Sequence, residues 1–158
     1  MDAYQRYGRA LIRKAARMLG NLEDARDIVQ GLFADIYQRP EVPLDLAYLY
    51  RAVTNRCLSF LRDESNRARL LAKHDPALMP APRTTCDERI IDSELLAKLL
   101  GELDDGECEV LSYRYLDDLT HEEIADLLGL SRRTIGKRLE RIRSAVIRIA
   151  QSGEGEPT

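Results

Sequence analysis

The sequence has little of what enzymes and metal proteins rely on. Its 158 residues include no tryptophan, two histidines and three cysteines. The cysteines, Cys57, Cys86 and Cys108, stand far apart, and with the histidines they form no spacing that is usual for a zinc site. The sequence also lacks a glycine-rich phosphate-binding loop and any recognisable catalytic arrangement of a nucleophile and a general base. We therefore expect no catalytic residue, no bound metal and no cofactor.

Long apolar runs are absent as well. No stretch of 18 or more apolar residues occurs, which excludes a helix that spans a membrane. Residues 1–6 lack the apolar stretch of a secretory signal. Because widely separated cysteines give no disulfide framework, the simplest interpretation is a reduced, cytoplasmic protein.

The charge is nearly balanced overall but strongly concentrated in the C-terminal half. The net charge is −3, yet residues 87–126 carry 14 acidic and 3 basic side chains, and residues 131–148 carry 7 basic and 1 acidic. Residues 1–75 hold 13 basic and 10 acidic side chains. An acidic block followed directly by a basic one is not typical of a uniform solvated surface. The basic segment indicates a nucleic-acid footprint near the C-terminal end.

Apolar residues in the N-terminal half recur at three- and four-residue steps, which is the spacing of one helix face. In the first segment they are Tyr4, Tyr7, Leu11, Ala15, Met18 and Leu19. In the second they are Ala25, Ile28, Val29, Leu32, Phe33 and Ile36, opposite a polar face formed by Glu23, Asp27, Gln30 and Asp35. In the third the expected buried stripe is Leu46, Leu49, Tyr50, Val53, Cys57, Phe60 and Leu61. Gly20 is placed to end the first helix, and Asn21 and Asp45 to cap the next two.

The pattern predicts an all-α protein with two domains. We expect a helical domain at residues 1–73, a flexible proline-rich linker at 74–86, a second helical domain at 87–150 and a disordered tail at 151–158. The sequence shows no convincing strand.

The strongest local signal begins at Thr120. Thr120 and Glu123 have the spacing of a capping box, and an apolar face of barely two helical turns follows. Gly129 is suited to the left-handed conformation that ends a helix, and Ser131 to the cap of the next helix. Together these features predict a helix-turn-helix.

The second helix of this motif has two contrasting faces. Its expected apolar back is Ile135, Leu139, Ile142, Val146 and Ile149. Its expected polar front is Arg133, Lys137, Glu140, Arg141 and Ser144. A basic front of this kind suits the major groove, where arginine reads guanine through two hydrogen bonds. A surface helix with a merely solvated basic face is the alternative, but the capped short helix and the glycine turn favour DNA binding.

Three stretches carry a family resemblance. Residues 21–30 read Asn-Leu-Glu-Asp-Ala-Arg-Asp-Ile-Val-Gln, and residues 48–55 read Tyr-Leu-Tyr-Arg-Ala-Val-Thr-Asn. The C-terminal stretch is marked by Leu119, Thr120, Glu123, Ile124, Ala125, Thr134, Ile135, Arg138, Arg141 and Arg143. In order and separation these stretches resemble the extracytoplasmic-function sigma factors, in which they form the polymerase-binding helix, the promoter-melting helix and the helix-turn-helix.

The resemblance implies a function and a role for each surface. It implies an alternative sigma factor that binds core RNA polymerase and directs transcription from promoters with −10 and −35 elements, often under control of an anti-sigma factor. The implied polymerase-binding residues are Glu23, Asp24, Asp27 and Gln30. The implied residues for the melted −10 element are Tyr48, Arg51, Asn55, Arg56 and Arg62. The implied residues for the double-stranded −35 element are Arg132, Arg133, Thr134, Lys137, Arg138, Glu140, Arg141 and Arg143.

The chain also departs from the family pattern. Gly31 stands where the family usually has glutamate, and the loop of residues 38–47 is short. Gly136 stands inside the recognition helix, where it either costs stability and a DNA contact or permits close approach of the backbone to DNA. Tyr48 is open to two interpretations, a base-stacking residue or a half-buried core aromatic. A stand-alone helix-turn-helix regulator would explain residues 120–148 but not the N-terminal matches.

Overall fold

The computed structural model describes residues 2–75, 83–84, 90–91 and 93–153. The chain divides into two compact units, Met1–Ile91 and Asp92–Thr158. The helices of the first unit are α1 (Ala3–Leu19), α2 (Leu22–Tyr37) and α3 (Leu46–His74). Those of the second are α4 (Ser93–Glu102), α5 (Asp105–Tyr115), α6 (His121–Leu128) and α7 (Arg132–Gly153). The expected all-α fold class is confirmed.

One short pair of strands is an exception within this all-α fold. Strand β1 (Arg83–Thr84) pairs antiparallel with β2 (Ile90–Ile91). Two residues per strand are too few for an alternating apolar pattern to be visible in a sequence, which is why the expectation of no strand was wrong here. Most of the expected linker, residues 74–86, lies outside the described residues.

The caps of the first unit follow the sequence signals. The Asn21 side chain accepts hydrogen bonds from the N–H groups of Glu23 and Asp24, at 2.8 and 3.2 Å. The Asp45 carboxylate accepts one from the Tyr48 N–H at 2.7 Å. Gly20 ends α1 at a φ of 69° and donates to the Ala16 carbonyl. Because these groups satisfy backbone atoms that a helix end leaves unpaired, the three predicted boundaries are confirmed.

The first core forms where the apolar faces of α1, α2 and α3 meet. Its fully buried apolar side chains include Leu11, Leu19, Ala15, Ala25, Val29, Leu49, Val53 and Cys57. Lys14 is also buried, and its ammonium lies 4.3 Å from the centre of the Tyr50 ring, an arrangement that stabilises a cation through the ring face. Leu46 is 48% exposed, so the prediction that it is buried was wrong. It occupies the first position of α3, where the helix has only begun to enter the interface.

The second core surrounds Tyr113 and the back of α7. Tyr113 is fully buried, and its hydroxyl donates to the Glu109 carboxylate at 2.8 Å. Ile135, Leu139, Ile142 and Ile149 of α7 are buried as predicted, but Val146 is 39% exposed. The preceding residue, Ala145, is buried instead.

The last helix is longer than expected. Helix α7 continues to Gly153, so residues 151–153 are helical and their assignment to a disordered tail was wrong. The Ser152 hydroxyl donates to the Arg148 carbonyl at 2.8 Å, and Ile149 anchors this end in the core. Residues 154–158 of the expected tail lie outside the described residues.

Candidate nucleic-acid interface

Helices α6 and α7 form the predicted helix-turn-helix. The Thr120 hydroxyl accepts from the Glu123 N–H at 3.1 Å, and the Glu123 carboxylate accepts from the Thr120 N–H at 3.4 Å, which completes the capping box. Gly129 has a φ of 65°, and its N–H donates to the Ala125 carbonyl. The Ser131 hydroxyl accepts from the Thr134 N–H at 3.1 Å. The sharp turn and both caps therefore come from side chains whose chemistry requires them.

The front of α7 is open to solvent. All five side chains of the predicted front are exposed, namely Arg133, Lys137, Glu140, Arg141 and Ser144. The front also contains Arg148, which sequence reasoning did not assign, although it follows Arg141 at the helical spacing of seven. A helix with a buried apolar back and an exposed basic front has the form that enters the major groove.

Carboxylates of the acidic segment reach three arginines of α7. Arg132 pairs with Glu122 at 2.8 Å, Arg148 with Glu102 at 3.4 Å, and Arg141 faces Glu107 at 3.7 Å. A groove of about 560 Å³ lies between α7 and the α4–α5 junction. It is lined by Glu102, Leu103, Glu107, Lys137, Glu140, Arg141, Ser144 and Arg148. The acidic and basic segments of the sequence thus meet inside one unit.

The remaining α7 candidates lie away from this front. Arg138 is half-buried, and its guanidinium packs against the backbone of α5, with Nη1 2.7 Å from the position that a Gly106 Cβ would occupy. The Thr134 hydroxyl lies 2.9 Å from that of Ser131, so it takes part in the cap. Arg143 is exposed, but it lies about 160° around the helix from Arg141 at 100° per residue.

Helix α3 brings together four of the five residues expected at the −10 element. At 100° per residue, Tyr48, Arg51, Asn55 and Arg62 lie within about 60° of one another. Tyr48 is 39% exposed and Asn55 is exposed. Arg51 and Arg62 are half-buried. These side chains form a continuous polar and basic track with an aromatic residue at its N-terminal end.

The fifth residue, Arg56, points elsewhere. It lies about 80° around α3 from Tyr48, and its Nη2 is 2.5 Å from the Asp35 carboxylate of α2. The Arg56 hydrogen bond, together with its positive charge, lowers the pKa of Asp35 below the ordinary value. Asp35 belongs to the polar face of α2, but its pairing across the helices depends on tertiary structure that spacing does not reveal.

The candidate polymerase-binding residues lie on the outer side of α2. Glu23, Asp27 and Gln30 are exposed, whereas Asp24 is half-buried. Asp24 and Asp27 line a groove of about 570 Å³ between α2 and α3. Its other lining residues are Ile28, Gly31, Asn55, Arg56, Ser59, Phe60 and Asp63. Asp63 was not identified from the sequence, because its proximity to α2 follows only from the antiparallel packing of α2 and α3.

Two further features are absent from the part of the chain that the structure describes. No group of three His, Cys, Asp or Glu side chains there is arranged to hold a metal ion. Among the same residues, no helix is both long and apolar enough to cross a membrane.

The fold and the interface define a mainly helical, two-unit protein with a DNA-binding helix-turn-helix, and comparisons with known proteins agree. Residues 3–67 match the family described as Sigma-70 region 2, and residues 93–146 match Sigma-70, region 4. An RNA polymerase sigma-E factor from Streptomyces coelicolor is 32% identical over 137 residues, covering 84% of this chain and 75% of that protein. A second RNA polymerase sigma-E factor, from Streptomyces avermitilis, is 31% identical over 137 residues, covering 84% and 74%.

The chain therefore belongs to the extracytoplasmic-function sigma factors of the sigma-70 family. It is an alternative sigma factor, a non-catalytic protein that binds core RNA polymerase and directs initiation at particular promoters. Because both halves match, a stand-alone regulator does not account for the sequence.

Proposed function

We propose that α7, α3 and α2 each bind a different partner when the protein recognises a promoter. Helix α7 reads the −35 element as duplex, α3 holds the melted −10 element, and the outer side of α2 docks on core polymerase. The observation that carries this proposal is the separation of charge: an exposed basic front on α7, a basic and aromatic track on α3, and an acidic and amide face on α2.

The chemistry of α7 supports duplex reading. Arginine presents a planar fork of donors that matches the guanine edge in the major groove. Lys137 lies midway across the exposed front and Arg141 midway along its length, and both suit base contacts. Arg132 and Arg133 lie at its N-terminal end and Arg143 lies beside it, where they suit phosphates. Because Arg138 packs against α5, we assign it to holding α5 and α7 together in preference to a base contact.

The track on α3 supports binding of a single strand. Exposed bases stack on aromatic rings, and the backbone of a single strand follows basic side chains. The exposure of Tyr48 favours base stacking over a core role, and Asn55 adds an amide beside it. We place Arg51 and Arg62 on this track, with Arg56 serving to join α3 to α2 through Asp35.

Two partner assignments complete the proposal. The acidic and amide face of α2 suits a basic surface of core polymerase. By the family resemblance, an anti-sigma factor is the expected inhibitor of the free protein. We further propose that the protein acts in the cytoplasm, where the polymerase and the chromosome meet.

The test separates polymerase docking from DNA reading. Arg141→Ala should reduce promoter-specific transcription while leaving competition for core polymerase intact. The double variant Asp27→Ala, Gln30→Ala should lose that competition. Arg13→Ala, which removes an exposed charge from α1 outside the proposed surfaces, is the control for net charge. Normal competition by the double variant would place the docking site elsewhere, and loss of polymerase binding by Arg141→Ala would contradict the assignment of α7.

A further inference from the structure

Glu107 links two parts of the second unit. It lies in the first turn of α5, and its side chain is 10% exposed. The Glu107 Oε2 atom accepts from the Asp104 N–H at 3.0 Å, while the Asp104 carboxylate accepts from the Glu107 N–H at 2.7 Å. This capping box fixes the carboxylate at the start of α5.

The second oxygen of the same carboxylate faces the basic front of α7. Glu107 Oε1 lies 3.7 Å from Arg141 Nη1. The Arg141 side chain is 70% exposed, so one edge of its guanidinium faces Glu107 and the rest is open to solvent. Because the capping box and burial hold Glu107, the flexible arginine is the partner whose position the contact sets.

The other two arginine pairs of α7 lack this anchor. In the pair of Arg132 with Glu122, the side chains are 70% and 65% exposed. In the pair of Arg148 with Glu102, they are 67% and 41% exposed. Exposed pairs of long side chains hold one another weakly, because both partners lose conformational freedom when they pair. Glu107 is therefore the carboxylate best placed to restrict an arginine of the front.

We propose that Glu107 is a positioning residue that orients Arg141 for base reading and thereby sets specificity within the −35 element. The proposal rests on the proposed role of Arg141 in reading that element. An oriented arginine presents its two donors in a fixed plane, so it discriminates guanine from other bases more sharply than a freely rotating one. Glu107 itself does not touch DNA.

The variant Glu107→Gln tests this directly. A glutamine oxygen still accepts from the Asp104 N–H, so the capping box is retained, whereas the charge that attracts Arg141 is removed. The measurement is selection by the polymerase holoenzyme from a promoter library randomised over the −35 segment, followed by sequencing of the bound DNA. Glu122→Gln, which removes the exposed carboxylate beside Arg132, is the matched control.

We expect Glu107→Gln to reduce base preference roughly three- to tenfold at the position that Arg141→Ala also relaxes, since a bidentate contact carries the discrimination there. Glu122→Gln should leave that preference unchanged. In an Arg141→Ala background, Glu107→Gln should have no further effect on base preference. The dependence of binding on salt should also stay unchanged, since no phosphate contact is lost.

Several results would overturn the proposal. Unchanged base preference in Glu107→Gln, or an equal loss with Arg141 absent, would show that Glu107 only supports the fold. A uniform rise in affinity for all sequences would show that Glu107 shields the charge of Arg141. If Arg141→Ala relaxes no position while the holoenzyme still selects −35 sequences, the proposed role of Arg141 fails and this inference fails with it. If Arg141→Ala relaxes one position and Glu107→Gln leaves that preference unchanged, this inference fails while the proposed role of Arg141 stands.

Discussion

Two glycines of the helix-turn-helix should respond oppositely to the same substitution. Gly129 ends α6 and Gly136 lies inside α7. A Cβ atom added at either position meets no other atom within 4 Å, so crowding distinguishes neither site. The difference is conformational, since Gly129 has a φ of 65° and Gly136 is helical. The comparison therefore isolates the backbone preference of glycine.

The expected magnitudes follow from that difference. Gly129→Ala places an L side chain in the left-handed region, which costs about 1–2 kcal/mol. Gly136→Ala removes a flexible residue from a helix interior and should stabilise the unit by about 0.5–1 kcal/mol. The two variants should therefore differ in the free energy of unfolding by about 1.5–3 kcal/mol.

Hydrogen exchange of the α6 and α7 amides, read by mass spectrometry, is the suitable assay because it reports the stability of one unit in a two-unit chain. Equal effects of the two substitutions, or stabilisation by Gly129→Ala, would refute the reasoning. The same Gly136→Ala protein also distinguishes the two roles that the sequence leaves open for Gly136, a cost in stability or a close approach of the backbone to DNA. Promoter binding that is kept or improved shows that the glycine is a stability cost, and binding lost despite a stabler helix shows that the backbone must approach DNA closely.

Three further predictions concern single side chains. Burial raises the pKa of the Cys57 thiol to about 12, so iodoacetamide at pH 8 should label Cys57 only after denaturation, and labelling of the folded protein would contradict its burial. The pKa of Asp35 is lowered from 3.8 by Arg56, so its stabilising effect is present above that value and lost as pH falls through the lower, folded value. The stability difference between wild type and Asp35→Asn, followed by urea unfolding, should thus be constant near neutral pH and shrink below about pH 4; a difference that grows on acidification would have the wrong sign. Thr120→Ala removes the hydroxyl that caps α6 and should cost about 1 kcal/mol in the exchange of α6 amides, whereas no change would mean that the cap is dispensable.

Local signals in the sequence predicted the helices and their ends well. Asn21, Asp45, Thr120 and Gly129 each act through hydrogen bonds or dihedral angles within a few residues, so their roles follow from spacing alone. Most of the predicted buried faces are buried, but Leu46 and Val146 are exposed and Tyr50 and Phe60 are half-buried. Periodicity assigns a residue to one face of a helix, but it does not show whether a neighbouring helix covers that part of the face.

Contacts between helices were not predictable in the same way. Arg56 has the basic side chain expected of a nucleic-acid contact, but it pairs with Asp35, 21 positions away in the sequence. Arg138 fits the recognition helix yet packs on α5 beside Gly106. The charge contrast of the C-terminal half was visible from composition, but only the fold shows that Glu107 reaches Arg141. The choice of which arginine reads a base depends on these tertiary contacts.

The most direct test of the account is transcription in vitro with purified protein, bacterial core polymerase and a library of randomised promoter fragments. The account predicts start sites that appear only when this protein is added and that share two upstream elements, one at −10 and one at −35. Specific DNA binding without core polymerase, together with no added start site in its presence, would contradict it.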